Sequence, residues 1–180
     1  MLAYLFVILA VVFRFLPHTW HFTPLGAALL FFGARQPRKR MWIPLVLFTA
    51  TDIILTKYVN GYPLSVLNFA STGFYAVAIL IGGFLKPKSE DDESKLQLPK
   101  VMGGSLAASL SFFVISNLAV WYGWNMYPHT LDGLKQCYVA ALPFFQGTLI
   151  GDQVFGIAFF SLPFMLHLAH GADMETGSRA

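Results

Sequence analysis

The chain has 180 residues, of which 56% are hydrophobic and 12% charged, and its formal net charge is +3. Soluble domains carry about a quarter charged residues, so this composition excludes an ordinary soluble domain and predicts an all-α polytopic membrane protein. A basic balance can indicate nucleic-acid binding, but here Lys and Arg lie beside apolar segments, where anionic headgroups attract them. No nucleic acid partner is therefore expected. The single cysteine, Cys137, excludes an internal disulfide.

Six apolar segments divide the chain, which we predict to be one transmembrane domain over 1–180 with a flexible cytoplasmic tail at 171–180. The first has no basic n-region, so it predicts a retained helix and not a cleaved signal peptide. The second is short, because crossing a bilayer takes about 20 helical residues, and we expect it to be tilted, broken or recessed in the bundle. The segments are 2–16, 23–34, 41–57, 62–85, 101–123 and 146–169.

An additional helix is predicted between the fifth and sixth segments. Leu131, Leu134 and Tyr138 recur there at helical spacing after Thr130, a residue that favours helix N-termini. We predict an amphipathic helix on the outer surface that ends near Pro143.

The positions of the basic residues predict the topology. Eight of the twelve Lys and Arg residues lie in only two gaps, 35–40 and 86–100. Because Lys and Arg concentrate in cytoplasmic loops, these gaps are expected inside, with the N-terminus and C-terminus also inside. The acidic run within 86–100 has little effect on orientation.

Three ionisable residues, Arg14, Asp52 and Asp152, fall within or at the ends of apolar segments. A charged side chain there costs about 2.5 to 3.5 kcal/mol on insertion scales, so each needs a partner or a polar cavity. Arg14 can pair with either aspartate, or it can bind an anionic or amide group of a ligand. Both interpretations remain open at this stage.

Other small and polar residues predict contacts between helices. Gly147 and Gly151 are one turn apart, and such spacing lets a neighbouring helix approach closely. Asn68, Asn117 and Gln153 carry amides that can cross-link helices.

The predicted outer side is rich in aromatic, histidine and asparagine residues, whereas the inner side shows only Trp42. Part of this enrichment is the interfacial aromatic belt of membrane proteins. The asymmetry between the two sides favours an outward-facing pocket with aromatic walls and a few polar groups, as small-molecule sites have. The predicted ligand-binding residues are Arg14, His18, His21, Tyr58, Tyr62, Asn68, Trp121, Trp124 and His129.

The sequence shows few of the motifs that catalysis or cofactor binding would require. The sequence contains no HExxH, GxSxG or P-loop motif, so no enzyme activity is expected. His18, His21 and His129 could meet around a transition-metal ion, but loop histidines more often cap helices or face solvent. We therefore expect no cofactor and no catalytic or metal residue.

Three stretches resemble an uncharacterised family of small bacterial integral membrane proteins: HFTPLGAALLFFGA (21–34), YPHTLDGLKQCYVAALPFF (127–145) and TLIGDQVF (148–155). In its size, six helices and topology the chain more distantly resembles the S-components of energy-coupling-factor transporters. This resemblance implies a multi-pass protein of the bacterial inner (cytoplasmic) membrane that binds a vitamin-like molecule. It also implies a transmembrane coupling subunit and ATPases as partners.

We therefore expect a protein of the lipid bilayer that binds a small-molecule ligand as the substrate-binding component of an uptake transporter. Three alternatives remain. The first is a non-catalytic structural or accessory subunit of a larger membrane protein complex. The second is a lipid-active enzyme that uses Asp and His residues, and the third is a component of metal uptake.

Overall fold

A computed structural model describes residues 1–16, 22–88 and 97–177 of the chain, with side chains up to residue 166. This part of the chain forms six α-helices and no strand, which confirms the predicted all-α class. The helices are α1 (Leu2–Phe15), α2 (Leu25–Arg35), α3 (Trp42–Ile53), α4 (Val66–Phe84), α5 (Leu98–Gly123) and α6 (Leu131–Gly177).

Four helical stretches are long and apolar enough to cross a membrane. One of them combines α3 with a 3₁₀ turn before it and a π-helical turn after it, Ile54–Val59. Helices α1 and α2 are apolar but shorter. Several apolar helices of this kind indicate a membrane protein. The four stretches are Arg38–Val59, Val66–Phe84, Leu98–Gly123 and Leu131–Leu166.

The short helix α2 is recessed in the bundle, one of the three outcomes expected for it. Eight of its 11 residues are buried, among them Phe31 and Phe32. A helix that is apolar on all sides is stable only where protein or lipid surrounds it. Here α2 packs against α1, α4, α5 and α6. It is the central element of the fold.

Glycine allows α2 and α4 to approach each other very closely. A Cβ atom at Gly33 would collide with the backbone oxygen of Ile79, and one at Gly82 would collide with that of Leu30. Near the other end of α2, Leu25 and Phe74 line one cavity. The two helices therefore run side by side in the same direction, with their C-terminal ends together.

The predicted separate surface helix ending near Pro143 is wrong. Helix α6 begins after Thr130, whose hydroxyl accepts a hydrogen bond from Gly133 N at 3.2 Å, as the capping signal indicated. It then continues through Pro143 and Pro163 to Gly177, and so includes most of the segment predicted as a tail. Proline removes one backbone donor, a loss that packed apolar helices tolerate when neighbouring groups satisfy the freed carbonyl.

The core of α6 packs against α1 and α2. The rings of Phe6 and Phe159 stack with centroids 3.9 Å apart, and Phe31 meets Phe160 edge-on at 5.0 Å. Earlier in α6, a Cβ atom at Gly151 would lie 3.3 Å from Thr23 N. A neighbour therefore packs on the Gly151 face as predicted, but it is the segment that leads into α2 and not a helix.

Candidate ligand pocket and buried polar clusters

A buried polar cluster joins α1, α3 and α4. The Arg14 guanidinium forms an ion pair with Asp52 and donates a hydrogen bond to the Tyr75 hydroxyl at 2.8 Å. The Tyr75 hydroxyl in turn donates to Asp52 Oδ2 at 2.6 Å. Both charges are thereby compensated, which is what burial of an ion pair requires. Of the two expected partners for Arg14, the structure selects Asp52.

Further polar contacts connect α3 with α4 and continue towards the start of α4. The hydroxyls of Thr49 and Thr72 lie 3.0 Å apart, and Asn68 Nδ2 donates to Thr56 Oγ1 at 3.0 Å. Asn68 Oδ1 also accepts from Ser65 N at 2.9 Å, which completes a capping box at the start of α4. Asn68 therefore caps α4 and links it to the π-helical turn that follows α3, as predicted for its amide.

A pocket of about 310 Å³ opens beside these contacts. It lies where the turn after α3 meets the start of α4 and the end of α5, and we name it the α4 pocket. Three predicted ligand-binding residues, Tyr62, Asn68 and Trp124, meet in its wall although 56 residues separate the last two. The full wall consists of Thr56, Tyr62, Pro63, Ser65, Leu67, Asn68 and Trp124.

The remaining predicted ligand residues lie elsewhere. Arg14 belongs to the buried cluster with Asp52. Tyr58 is exposed and faces the Lys57 ammonium. Trp121 Nε1 donates to Pro128 O at 2.9 Å, and its ring meets that of His129 at 5.4 Å. These two side chains thus hold the turn between α5 and α6. His18 and His21 lie outside the described residues.

Asp152 is the second buried aspartate and has different surroundings. It is 3% exposed and accepts a hydrogen bond from the Ser109 hydroxyl of α5 at 2.7 Å. Its carboxylate lies against the first turn of α2, at a place that a Cβ atom on Gly26 would occupy. Among the described residues, Ser109 is its one hydrogen-bond partner and no cation pairs with it.

One cavity adjoins this carboxylate, and a larger groove lies beside that cavity. A cavity of about 70 Å³ is lined by Thr23, Leu25, Gly26, Phe74, Phe112, Thr148 and Asp152. A larger groove of about 210 Å³ lies between α5 and α6, and we name it the α5–α6 groove. The cavity and the groove share Phe112 and Thr148 as wall residues. The groove is lined by Phe112, Phe113, Ser116, Asn117, Ala141, Phe144, Phe145 and Thr148.

The amides predicted to cross-link helices behave differently from one another. Gln153 Nε2 of α6 donates to Met102 O of α5 at 3.1 Å, which is such a cross-link. Asn117 Nδ2 instead donates to Phe113 O of its own helix at 2.7 Å, so the prediction for its side chain is wrong. A carbonyl one turn back is always within reach of a short polar side chain, and here that local bond prevails.

Tyr75 and Ser109 belong to the two clusters, and neither was predicted from the sequence. A signal was present for both. Tyr75 is the one tyrosine inside the apolar run 66–84, and Ser109 lies one turn from Ser105, also fully buried. Hydroxyls repeated at helical spacing in an apolar run indicate a polar stripe facing a neighbouring helix.

No group of three or more His, Cys, Asp and Glu side chains lies together in the part of the chain that the structure describes. Neither a curated protein nor a solved structure matches the chain. A family model does match, over residues 1–172, and its description is that of a family of unknown function. This agrees with the resemblance to an uncharacterised family, and the chain belongs to the family of unknown function DUF6580.

Proposed function

We propose that this chain is a multi-pass membrane protein that binds a small, largely apolar organic molecule in the α4 pocket, without catalysis. The supporting observation is the convergence of Tyr62, Asn68 and Trp124 on one pocket of about 310 Å³. Ligand pockets typically combine apolar and aromatic walls with a few polar groups that fix orientation. Here Tyr62 and Trp124 supply aromatic area, and the hydroxyls of Thr56 and Ser65 supply hydrogen bonds.

The backbone beside the pocket also favours a binding role. The π-helical turn Ile54–Val59 includes the wall residue Thr56. Its geometry is fixed by a hydrogen bond from Asn60 N to Leu55 O at 2.9 Å and one from Tyr62 N to Thr56 O at 2.8 Å. Such π turns are frequent at functional sites, because the widened backbone re-aims side chains.

The orientation that we propose opens this pocket to the outside of an inner (cytoplasmic) membrane. The ends of α2 and α4 lie together at Gly33 and Gly82, which brings the start of both basic gaps to one end of the bundle. The positive-inside rule favours the cytoplasm for that end. The pocket lies at the start of α4, and hence at the opposite end.

An outward-facing pocket fits a role in uptake, because it can capture a molecule from outside the cell. The sequence has no P-loop, so the energy for transport would come from another subunit. By its resemblance to S-components, the ligand would be vitamin-like, and a separate coupling subunit with ATPases would drive transport. A structural subunit needs no cavity of ligand size, so the α4 pocket favours the transport role over that alternative.

The test begins with native mass spectrometry of the gently extracted protein, which detects a retained ligand and any partner together. Calorimetry then compares binding of the identified ligand to the wild type, Trp124→Ala and Trp42→Ala. Trp42 is the matched control, because it is an exposed tryptophan that does not line the pocket. We expect Trp124→Ala to weaken binding at least about thirtyfold, or about 2 kcal/mol, as for aromatic anchors.

Equal losses for Trp124→Ala and Trp42→Ala would contradict the proposal and assign the tryptophans to the interfacial belt. Stoichiometric recovery in a large fixed complex without a ligand would favour a structural subunit instead.

A further inference from the structure

The two buried aspartates differ in what compensates their charge. Asp52 has the Arg14 guanidinium and the Tyr75 hydroxyl. Asp152 is at least as deeply buried, and among the described residues it has only the Ser109 hydroxyl. A carboxylate in an apolar interior needs a cation or several donors, and intramembrane ionisable groups without them indicate a functional site.

The space beside Asp152 is built for a ligand with an apolar body. The cavity at the carboxylate and the α5–α6 groove share Phe112 and Thr148 as wall residues. Beyond them the groove presents the rings of Phe113, Phe144 and Phe145. Aromatic faces attract cations as well as apolar groups. The cavity is therefore acidic, and the adjoining groove is mainly aromatic, with Ser116 and Asn117 as further polar wall residues.

The helix interface around Asp152 has further unused hydrogen-bonding capacity. Within the described residues, the buried Ser105 Oγ and Gln153 Oε1 have no hydrogen-bond partner. Buried polar atoms are nearly always paired in folded proteins, and each exception calls for an explanation. Ser105 and Gln153 line neither the cavity nor the groove, so this capacity lies in the helix interface beside them.

We propose that the Asp152 cavity and the α5–α6 groove form a second binding site, which takes an organic cation. The ammonium group would be bound by the Asp152 carboxylate and the Thr148 hydroxyl. Its aromatic or aliphatic body would lie among the phenylalanines of the groove. This site is separate from the α4 pocket and does not depend on the function proposed for that pocket.

An inorganic cation fits the same residues less well. Ca²⁺ takes six to eight oxygen ligands, and Mg²⁺ requires octahedral coordination. The polar side chains of the cavity are Asp152, Thr148 and Thr23, and its wall is completed by Leu25, Gly26, Phe74 and Phe112. Such a wall is too apolar to replace the hydration shell of a metal ion, but it suits the carbon atoms next to an ammonium group.

The test uses the purified full-length protein in a non-ionic detergent, with benzylammonium as the probe and benzyl alcohol as its neutral analogue. Calorimetry should show that Asp152→Asn weakens benzylammonium binding at least about thirtyfold, as expected when one partner of a buried charge pair is removed. Benzyl alcohol should bind more weakly than benzylammonium to the wild type. The control is Asp132→Asn, the same change on the same helix at a carboxylate that is 86% exposed, and it should leave the affinity unchanged.

If Asp152→Asn does not fold, a second variant tests the groove. Phe144 is exposed on the groove side of α6, so Phe144→Ala should fold. It should weaken benzylammonium binding severalfold through the lost cation–π and apolar contact. Three results would overturn the proposal: unchanged affinity in both variants, equal affinity for benzyl alcohol, or binding of sodium ions with the same dependence on Asp152.

Discussion

Asp52 and Asp152 differ in their hydrogen-bond and ion-pair partners, and this difference indicates different roles for two residues of the same type. Both follow apolar and small residues in the sequence, and both are buried. Asp52 completes a closed cluster with Arg14 and Tyr75, in which the guanidinium and the hydroxyl both donate to the carboxylate. Asp152 has one hydroxyl donor and an adjoining cavity. We therefore assign Asp52 to stability and Asp152 to binding.

The stability role predicts a large effect for Asp52→Asn. This change leaves the Arg14 charge buried without its anion, and removing one partner of a buried pair typically costs about 3 to 5 kcal/mol. Reversible unfolding in mixed micelles measures the change in the free energy of unfolding. Asp132→Asn removes an exposed charge that pairs with Lys135 and lies in the first turn of α6, and it should cost at most about 1 kcal/mol. Equal stability of Asp52→Asn and the wild type would show that the cluster is dispensable for folding.

The sequence predicted these residues only in part, and the reason is physical. The cost of a buried charge makes it certain that Arg14 needs a partner, but helical periodicity does not show which helices become neighbours. The choice of Asp52 over Asp152 depends on the packing of α1 against α3. Three wall residues of the α4 pocket, Tyr62, Asn68 and Trp124, were among the predicted ligand residues. Arg14 was predicted to join them, but the packing of α1 against α3 pairs it with Asp52 instead.

At the scale of the element, α2 shows how a segment too short to span a bilayer can still be the centre of the fold. At about 1.5 Å per residue, its 11 residues cover only about half of a 30 Å hydrocarbon core. Its position depends on Gly33 and Gly82, which permit backbone contact with α4. A recessed helix was one of three outcomes expected for this segment, since a short apolar run is equally compatible with tilt or with a break.

Adjacent glycines in α4 provide a matched pair for testing this contact. In Gly82→Ala the new methyl group would meet the Leu30 backbone, whereas at Gly83 a Cβ atom has open space. We expect Gly82→Ala to destabilise the protein by about 1 to 3 kcal/mol through overpacking. Gly83→Ala should stabilise it by about 0.5 to 1 kcal/mol, because alanine is the better helix former. Thermal unfolding in detergent measures both, and similar shifts for the two variants would contradict the close contact.

Helix α6 offers a second test, at the face that carries Gly151. A leucine there must displace Phe22 and Thr23, whose atoms lie 3.3 to 3.4 Å from an added Cβ. We expect Gly151→Leu to lower the free energy of unfolding by about 1 to 3 kcal/mol. The neighbouring Ile150 is 56% exposed, so Ile150→Leu serves as the control and should be nearly neutral. Unchanged thermal stability of Gly151→Leu would place this face away from any neighbour.

Over the whole molecule, the all-helical class of the described residues followed from hydropathy, because apolar runs of this length have few alternatives to helix. Seven helices were predicted, six spans and a surface helix, whereas the described residues form six α-helices. The merger of the predicted surface helix with the last segment did not follow, since proline is a reliable helix breaker only where water competes for the freed carbonyl. The arrangement of helix ends adds information that the sequence lacks. The Tyr4 hydroxyl oxygen lies 3.4 Å from Gln36 Oε1 and 3.4 Å from Arg40 Nη1. The start of α1 therefore lies at the end of the bundle that carries the first basic gap.

This arrangement makes the predicted topology testable with two positions at opposite ends of the bundle. Both Lys39 and Asn60 are exposed, one in the first basic gap and the other after the π-helical turn. Because Lys and Arg concentrate on the cytoplasmic side, we expect a membrane-impermeant maleimide to label Asn60→Cys in intact cells and to label Lys39→Cys only after permeabilisation. The native Cys137 is 2% exposed, and Cys137→Ala in both variants removes any residual labelling of this thiol. Labelling of Lys39→Cys from outside would invert the orientation and place the α4 pocket on the cytoplasmic side, where capture of an external nutrient is impossible.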